Sequence, residues 1–202
     1  MKKYFITAIG TDSGKTLVSA ILCKSLNADY WKPIQCGYPT DLEVVCRLVP
    51  GIKSHPEKYL LKTPASPHAA AAREGLEIQL NDLTMPDAEN DLVIEGAGGI
   101  LVPINQHHNV IDLAVKFKAA VILVSNYYLG SINHSLLSIE ILKKYPLELK
   151  GIIFNGEINI ESKQIIEHRS NLPVLLEIEQ EEKINENTID FYAKKLMNNW
   201  HD

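Results

Sequence analysis

The chain has 202 residues, of which 46% are hydrophobic and 22% charged, as is typical of a globular protein with a substantial core. Its formal net charge of −5 argues against broad nucleic-acid binding, which needs a basic face. No apolar stretch reaches the roughly 18 residues of a membrane span, no signal peptide is recognisable, and Cys23, Cys36 and Cys46 show no CxxC spacing, so we expect one cytoplasmic domain over residues 1–202 without membrane or nucleic-acid partners.

Apolar segments of strand length alternate with segments of helical periodicity along the chain. In chain order, the predicted elements are strand 4–9, helix 15–26, strand 28–33, helix 41–48, helix 68–73, strand 91–95, helix 111–118, strand 119–125, helix 131–144, strand 150–155, helix 160–168, strand 173–176 and helix 188–200. Residues 50–67 contain four prolines and are expected to be mostly loop. This order predicts an α/β fold, a parallel sheet with helices on both faces. In such sheets, ligands bind beyond the carboxyl ends of the strands.

The segment 10–16, with the sequence GTDSGKT, connects the first predicted strand to the first predicted helix. The main-chain N–H groups of such a loop and the helix N-terminus can surround a phosphate group. Lys15 can then reach the outer phosphates of a nucleotide, and the Thr16 hydroxyl can bind Mg²⁺. Ile9 stands where the usual motif has its first glycine, so an ordinary strand-to-helix turn is the alternative. The order strand, loop, helix favours the nucleotide site.

Three further charged residues are predicted at the same edge of the sheet. Glu95 ends an apolar strand, where a carboxylate can hold Mg²⁺ directly or through water, and a solvated acid is the alternative. Lys32 closes the second strand and, with Lys15 and a metal ion, can neutralise charge on a transferred phosphoryl group; a lysine extending to solvent is the alternative. Asp41 begins a helix, where an acid is a common cap, but its place after Lys32 also favours a metal role.

In this order, the residues resemble those of the dethiobiotin synthetase family, which has a P-loop NTPase-type fold. The resemblance covers about residues 3–176. Its anchors are the loop at 11–16, Lys32-Pro33 with Gly37, Ser66-Pro67-His68, the EGAGG sequence at 95–99 with Pro103, the LGSINH sequence at 129–134, and Asn155. Many NTPases share the Gly-Lys-Thr sequence, whereas the ordered combination of these motifs is specific.

The resemblance implies an ATP-dependent cyclo-ligase of biotin biosynthesis. Such an enzyme carboxylates 7,8-diaminopelargonate with CO₂ and closes the ureido ring through a carbamic–phosphoric anhydride, giving dethiobiotin, ADP and phosphate. The implied co-substrate is ATP and the implied cofactor is Mg²⁺. The implied assembly is a homodimer with the substrate site at its interface.

The resemblance also implies roles for matching residues. The implied catalytic residues are Thr11, Lys15 and Lys32. The implied nucleotide-binding residues are Asp12, Ser13, Gly14, Lys15, Thr16, Glu95, Gly98 and Asn155, of which Asn155 would read adenine. The implied metal ligands are Thr16, Asp41 and Glu95. The implied substrate-binding residues are Lys32, Cys36, Ser66, Pro67, Gly130, Ser131, Ile132 and Asn133, where the last four would receive the distal carboxylate of the substrate across the dimer interface.

The chain departs from the family pattern at several positions. Ala8 stands at the early loop glycine, Asp12 at the usual loop glutamate, and Cys36 where a hydroxyl residue often follows the Lys-Pro pair. The region between Pro39 and Pro64 is short, and the region after Leu176 is truncated. Adenine and ribose contacts that the family draws from that last region are therefore not transferred to this chain.

A partition- or positioning-type ATPase, a nucleotide-dependent dimer that binds other macromolecules, is the main alternative. Such proteins usually carry an extra lysine early in the loop, and residues 10–12 offer none. Some also bind membranes through an amphipathic C-terminal helix. Here Ile189, Tyr192, Leu196 and Trp200 form such a face, although core packing is the favoured interpretation. An amide-forming synthetase acting on a corrinoid is disfavoured, because it would need a further amidotransferase domain.

Three other patterns are interpreted structurally. In the predicted helix 131–144, the spacing places Ile132, Leu136, Leu137, Ile139 and Leu142 on the buried face. His107 and His108 are expected in a solvated loop, since no further metal ligands lie at suitable spacing. The acidic run from Glu177 to Glu182 is expected to be a solvated surface.

Overall fold

The computed structural model describes residues 1–200, which contain nine strands and seven α-helices. The strands are β1 (Lys3–Ala8), β2 (Asp29–Trp31), β3 (Ile34–Cys36), β4 (Ser54–His55), β5 (Tyr59–Leu61), β6 (Leu92–Gly99), β7 (Ala120–Asn126), β8 (Leu149–Asn155) and β9 (Val174–Ile178). The helices are α1 (Lys15–Leu26), α2 (Asp41–Leu48), α3 (Pro67–Arg73), α4 (Val110–Phe117), α5 (Ser131–Leu142), α6 (Ile160–Ser170) and α7 (Glu186–Met197).

Seven strands form one sheet in the order β4-β2-β6-β1-β7-β8-β9, and all of its neighbouring strands are parallel. β3 and β5 form a separate parallel pair. One buried cluster joins the sheet to α1, α2 and α7, and a second joins its other face to α3, α4, α5 and α6. The predicted α/β fold, with a parallel sheet between two layers of helices, is confirmed.

The sequence of β1 shows why this sheet is covered on both faces. Successive side chains of a strand point to opposite faces, and Tyr4 and Ile6 enter the cluster of α1 and α7 while Phe5 enters the other. A strand that is buried on both faces reads as a continuous apolar run. The carboxyl end of β1 leads directly into the loop before α1, which places that loop at the ligand-binding edge of the sheet.

The prediction that the third strand stops at the glycine run is wrong, because β6 continues to Gly99. Gly99 pairs with Ala8 of β1 after an irregularity in register. Gly96 permits this close packing, since a Cβ atom there would lie 3.0 Å from the side chain of Val110. Glu95 is therefore inside the strand and 1% exposed, rather than at a solvated strand end.

Residues 50–67 are mostly irregular, as predicted, but they also contain β4, β5 and the first residue of α3. β4 extends the sheet at its edge, where Ser54 and His55 pair with Tyr30 and Trp31. These two strands have only two and three residues, so the segment remains mostly loop as predicted.

The prediction for the buried face of α5 is wrong for Ile132 and Leu137, which are 38% and 56% exposed. A row of small residues faces the sheet instead: Ser131, Ser135 and Ser138 are all buried. The Ser135 hydroxyl lies 2.8 Å from the hydroxyl of Ser125 on β7. A hydrogen-bonded pair of serines thus joins α5 to β7, and Ile139 and Leu142 are buried on the same helix as predicted.

The C-terminal helix packs into the core, as favoured from the sequence. Ile189, Tyr192, Leu196 and Trp200 are between 0% and 9% exposed and belong to the α1-side cluster. Among residues 1–200, the structure contains no helix with the length and apolar character needed to cross a bilayer.

The prediction that the acidic run is fully solvated is wrong for Glu177. Its carboxylate accepts hydrogen bonds from the hydroxyl of Tyr127 at 2.6 Å and from Nζ of Lys163 at 2.8 Å. Burial opposes the charge of Glu177, but these two partners outweigh it and lower the pKa of the carboxyl. Glu177 therefore ties the end of β9 to β7 and α6.

In the loop before α4, Asn105 accepts hydrogen bonds from the main-chain N–H groups of His107 and His108.

Candidate active site

The loop between β1 and α1 turns sharply into the helix at Gly14. Gly14 has a φ of 94°, in the left-handed region that favours glycine, and α1 begins at the next residue. Lys15 folds back over the loop, and its Nζ donates a hydrogen bond to the carbonyl oxygen of Gly10 at 3.1 Å. Burial lowers the pKa of Lys15. A phosphate bound in the loop would place negative charge next to the Lys15 ammonium group and so favour its charged form.

Lys32 lies between two carboxylates. Its Nζ is 2.5 Å from Oδ2 of Asp41 and 2.9 Å from Oε1 of Glu95. Burial opposes the charge on Lys32, but Glu95 and Asp41 outweigh burial and raise the pKa of the lysine. Burial likewise disfavours the Asp41 anion, yet Lys32 and the Thr16 hydroxyl lower the pKa of Asp41. The ammonium group and the Asp41 carboxylate therefore stay charged near neutral pH, and the alternative of a solvated lysine is excluded by its 4% exposure.

The first turns of α1 and α2 bring Thr16 and Asp41 together. The Thr16 hydroxyl lies 2.8 Å from Oδ1 of Asp41 and 3.1 Å from Oε1 of Glu95. Asp41 is not the helix cap, because Thr40 and Glu43 form a reciprocal capping box at the start of α2. The Asp41 carboxylate is thereby left to face the site.

The oxygen atoms of Thr16, Asp41 and Glu95 fit a magnesium ion that is shared with a nucleotide. Mg²⁺ is usually held by one or two carboxylates, and water and phosphate oxygens complete its octahedral shell. Residues 1–200 contain no group of three or more His, Cys, Asp or Glu side chains suited to a metal ion. The two carboxylates and one hydroxyl therefore match a site completed by the ligand better than a cage made of protein alone.

A cavity of about 720 Å³ connects this charged cluster to an outer wall of small and apolar side chains. Its wall includes twelve residues that the sequence predicts for the site. These are Thr11, Asp12, Gly14, Lys15, Thr16, Lys32, Cys36, Asp41, Ser66, Pro67, Glu95 and Gly98. The cavity thus places the phosphate loop in one space with four of the predicted substrate-binding residues, Lys32, Cys36, Ser66 and Pro67.

Two predicted substrate contacts lie on the outer wall. Burial raises the pKa of the Cys36 thiol to about 11, so the group is a neutral thiol near pH 7. The Ser66 hydroxyl lies 3.1 Å from Nδ1 of His68, whereas His68 itself is exposed and borders a separate cavity of about 210 Å³. Ser66 therefore faces the main cavity with a hydroxyl group that His68 already orients.

Six predicted residues lie outside the wall of the main cavity. Ser13 is buried in the loop, and its carbonyl oxygen accepts a hydrogen bond from Nδ2 of Asn155 at 3.1 Å. Gly130, Ser131, Ile132 and Asn133 form the start of α5 after β7. Ile132 and Asn133 are exposed, whereas Ser131 is buried and its hydroxyl has no hydrogen-bond partner among the described residues.

Sequence reasoning missed two polar residues of the site. The buried Tyr30 donates a hydrogen bond from its hydroxyl to Oε2 of Glu95 at 3.0 Å, and burial and Glu95 raise its pKa well above the usual value. Gln35 accepts from the main-chain N–H of Asp41 and donates to the carbonyl oxygen of Gly37. Strand alternation puts Tyr30 and Lys32 on one face of the sheet, a signal that was present in the sequence. Gln35 carries no comparable signal.

We expect Gly14→Ala to weaken nucleotide binding and to destabilise the fold. A Cβ atom at Gly14 would lie 2.3 Å from Nδ2 of Asn155, and alanine in the left-handed region costs about 1–3 kcal/mol by itself. Gly51→Ala is the matched control, because Gly51 also has a positive φ of 80° but nothing within 4 Å of the added atom. Denaturant unfolding and calorimetric titration with ATP measure both effects. Equal behaviour of the two variants would contradict a steric role of Asn155.

Comparison with known proteins identifies the relatives of this chain. A family model described as an AAA domain matches residues 2–188. The ATP-dependent dethiobiotin synthetase BioD of Cytophaga hutchinsonii is 54% identical over 206 residues, covering 100% of both chains. The enzyme of the same name from Christiangramia forsetii is 46% identical and covers 96% of each chain.

The chain belongs to the dethiobiotin synthetase family.

Solved structures with little sequence identity share the fold. The septum site-determining protein MinD of Pyrococcus horikoshii, solved with Mg-ADP, has a TM-score of 0.56 and 14% identity, and the match covers 98% of this chain and 90% of MinD. At this identity the likeness shows the fold alone. The expected P-loop NTPase-type fold and the resemblance to the dethiobiotin synthetase family are both confirmed.

Proposed function

We propose that this member of the dethiobiotin synthetase family is an ATP-dependent cyclo-ligase that converts 7,8-diaminopelargonate, CO₂ and ATP into dethiobiotin, ADP and phosphate. The observation that carries the proposal is the cavity in which Lys15 of the phosphate loop faces the cluster of Lys32, Asp41 and Glu95. Relatives that match 96–100% of this chain bear the name of this enzyme.

The reaction has three steps. One amine of the substrate, in its neutral form, adds to CO₂ and loses a proton to give a carbamate. A carbamate oxygen attacks the γ-phosphorus of ATP, and the bond to ADP breaks, which gives the carbamic–phosphoric anhydride. The second amine then attacks the carbonyl carbon, loses a proton, closes the five-membered ring and expels phosphate.

Catalysis by this site is positioning together with charge stabilisation. Lys15 and the main-chain N–H groups of the loop hold the phosphates, with Asp12, Ser13, Gly14 and Gly98 around them. Lys32 neutralises the carbamate and the transferred phosphoryl group, and Thr11, exposed at the tip of the loop, contacts the same group. Mg²⁺ held by Thr16, Asp41 and Glu95 would supply positive charge to the phosphates.

The remaining predicted contacts are with the adenine of ATP and with the diamine substrate. Asn155 at the end of β8 reads adenine, because its amide offers both a donor and an acceptor. Cys36, Ser66 and Pro67 on the outer wall of the cavity contact the diamine. Asn155, Ser66 and Pro67 match the family pattern, whereas Cys36 stands where the family often has a hydroxyl residue, and exchange of each residue tests its role.

A homodimer in the cytoplasm completes the proposed enzyme. Four exposed apolar residues surround the start of α5, namely Tyr128, Leu129, Ile132 and Leu137. Leu129 is 104% exposed, which is unfavourable for a large apolar side chain in water unless a partner covers it. In the dimer, residues 130–133 of one copy receive the distal carboxylate of the substrate bound by the other, since a helix N-terminus suits an anion.

Leu129→Glu is expected to convert the dimer into monomers, because a carboxylate would have to be buried at the interface. Sedimentation velocity measures the change, and circular dichroism verifies the fold of the monomer. Phe191→Glu on α7, at a 59% exposed position on the opposite side of the sheet, is the matched control and stays dimeric. A wild-type chain that sediments as a monomer at micromolar concentration refutes the dimer.

Incorporation of labelled bicarbonate into product is the direct test of the function. Label is expected in dethiobiotin only when ATP and diaminopelargonate are both present, with one ADP released for each product molecule. ATP hydrolysis that ignores the diamine and responds to lipid or DNA would instead favour a partition-type ATPase. The burial of the apolar face of α7 and the absence of a lysine in residues 10–12 speak against that alternative.

A further inference from the structure

The phenol of Tyr30 is buried beside the central carboxylate of the site. Tyr30 on β2 pairs with Val93 on β6, two residues before Glu95 on the same face of that strand. Its hydroxyl donates a hydrogen bond to Oε2 of Glu95 at 3.0 Å. Tyr30 is 0% exposed and Glu95 1%, so water does not compete for this hydrogen bond.

The two oxygens of Glu95 have different partners. Oε1 accepts a hydrogen bond from Nζ of Lys32 at 2.9 Å and lies 3.1 Å from the Thr16 hydroxyl. Oε2 accepts from Tyr30. The two oxygens of a carboxylate are equivalent, so a half-turn about the terminal bond restores the same contacts, whereas a quarter-turn would break the hydrogen bonds on both sides. The Tyr30 hydrogen bond therefore fixes the plane of the carboxylate, in which one oxygen contacts Tyr30 and the other contacts Lys32 and Thr16.

We propose that Tyr30 is a positioning residue that acts through Glu95 and holds the plane of its carboxylate, so that the oxygen opposite Tyr30 stays directed at Thr16 and the proposed Mg²⁺ site. This inference rests on the proposed function, because it gives Tyr30 a role only if Glu95 serves the nucleotide and its metal ion. Partners that orient a ligating carboxylate typically affect metal affinity or activity by about 10- to 100-fold.

Buried tyrosine hydroxyls generally have a hydrogen-bond partner for stability alone, so the test must distinguish a structural role of Tyr30 from positioning of Glu95. The test uses Tyr30→Phe in the full chain, which keeps the ring and removes the hydroxyl. Calorimetry measures binding of a non-hydrolysable ATP analogue in excess Mg²⁺ and, separately, in EDTA. Thermal unfolding sets the assay temperature well below the transition of every variant.

Tyr30→Phe is expected to weaken binding about 10-fold or more in Mg²⁺ and to leave binding in EDTA unchanged. The Mg²⁺ concentration for half-maximal turnover is expected to rise by a similar factor. Tyr59→Phe is the matched control, since its phenol also donates to a carboxylate, that of Asp82 at 3.2 Å, but away from the cavity. This control is expected to match wild type in all three measurements.

A double-mutant cycle with Glu95→Gln shows whether Tyr30 acts through Glu95. In that background, Tyr30→Phe is expected to change Mg²⁺-dependent binding by less than about 2-fold. An equal loss in both backgrounds, or an equal loss in Mg²⁺ and in EDTA, overturns the positioning role. Unchanged binding in Tyr30→Phe also overturns it, while a wild-type chain without Mg²⁺-dependent nucleotide binding refutes the proposed function itself.

Discussion

Lys15→Ala is expected to abolish dethiobiotin formation while the fold stays intact. Removal of a cation that stabilises a transferred phosphoryl group costs roughly 10³-fold or more in turnover. The fold is expected to survive because burial lowers the pKa of Lys15, so the charged form is destabilised in the folded protein without a phosphate nearby. Its hydrogen bond to Gly10 is local to the loop.

Coupled ADP release in the presence of diamine and bicarbonate measures the turnover of this variant, and chemical unfolding measures its stability. Lys24→Ala serves as the control on the same helix, because Lys24 is 47% exposed and forms its ion pair with Asp190 at the protein surface. Diamine- and bicarbonate-dependent ADP release that persists in Lys15→Ala would contradict the assignment of the site.

The second large effect is expected from Lys32→Met, which should abolish turnover and also lower the free energy of unfolding. Lys32 is the ammonium group between Asp41 and Glu95, and removing one partner of a buried ion pair typically costs about 3–5 kcal/mol. Methionine keeps most of the stem volume, so the loss reports the charge. Lys53→Met, at a 45% exposed position paired with Glu89, is the control and is expected to cost little.

The dependence of stability on Mg²⁺ and on pH distinguishes the loss of the Lys32 charge from a packing defect. Mg²⁺ alone is expected to stabilise Lys32→Met more than wild type, since the lysine competes with the metal for the same carboxylate oxygens. In EDTA, the lowered pKa of Asp41 means that its pairing stabilises the wild-type fold above the unfolded pKa of about 3.9 and is lost as the pH falls through the folded value. The stability gap between the two proteins should therefore be largest near pH 7 and shrink below about pH 4. A gap that is independent of both variables would contradict the electrostatic account.

Much of the site could be predicted because the rules of parallel sheets are strong. The bounds of α1 follow from Gly14 and from the helical spacing after it, and the structure has the helix at Lys15–Leu26 as predicted. The meeting of Lys32 and Glu95 follows from their places on two strands whose carboxyl ends share an edge. β2 and β6 are neighbours in the sheet, in agreement with that expectation.

The errors came from contacts between segments that are distant in sequence. The glycines after Glu95 read as a strand end, but β1 supplies pairing partners that carry β6 on to Gly99. The buried face of α5 was predicted from its aliphatic residues alone, but Ser125 on β7 gives Ser135 a partner inside the core. In both cases the deciding group lies on another element, so local propensity could not reveal it.

The order of the strands also constrains how the chain acquires its shape during synthesis. β1 lies between β6 and β7, so this strand has no neighbour in the sheet until Leu92–Gly99 has been synthesised. Non-local pairing of this kind makes folding slow. Until it forms, the apolar segment Tyr4–Ala8 is exposed and can associate with other unfolded chains. We expect this protein to depend on chaperones that hold early apolar segments, and a chain released before β6 is complete should aggregate.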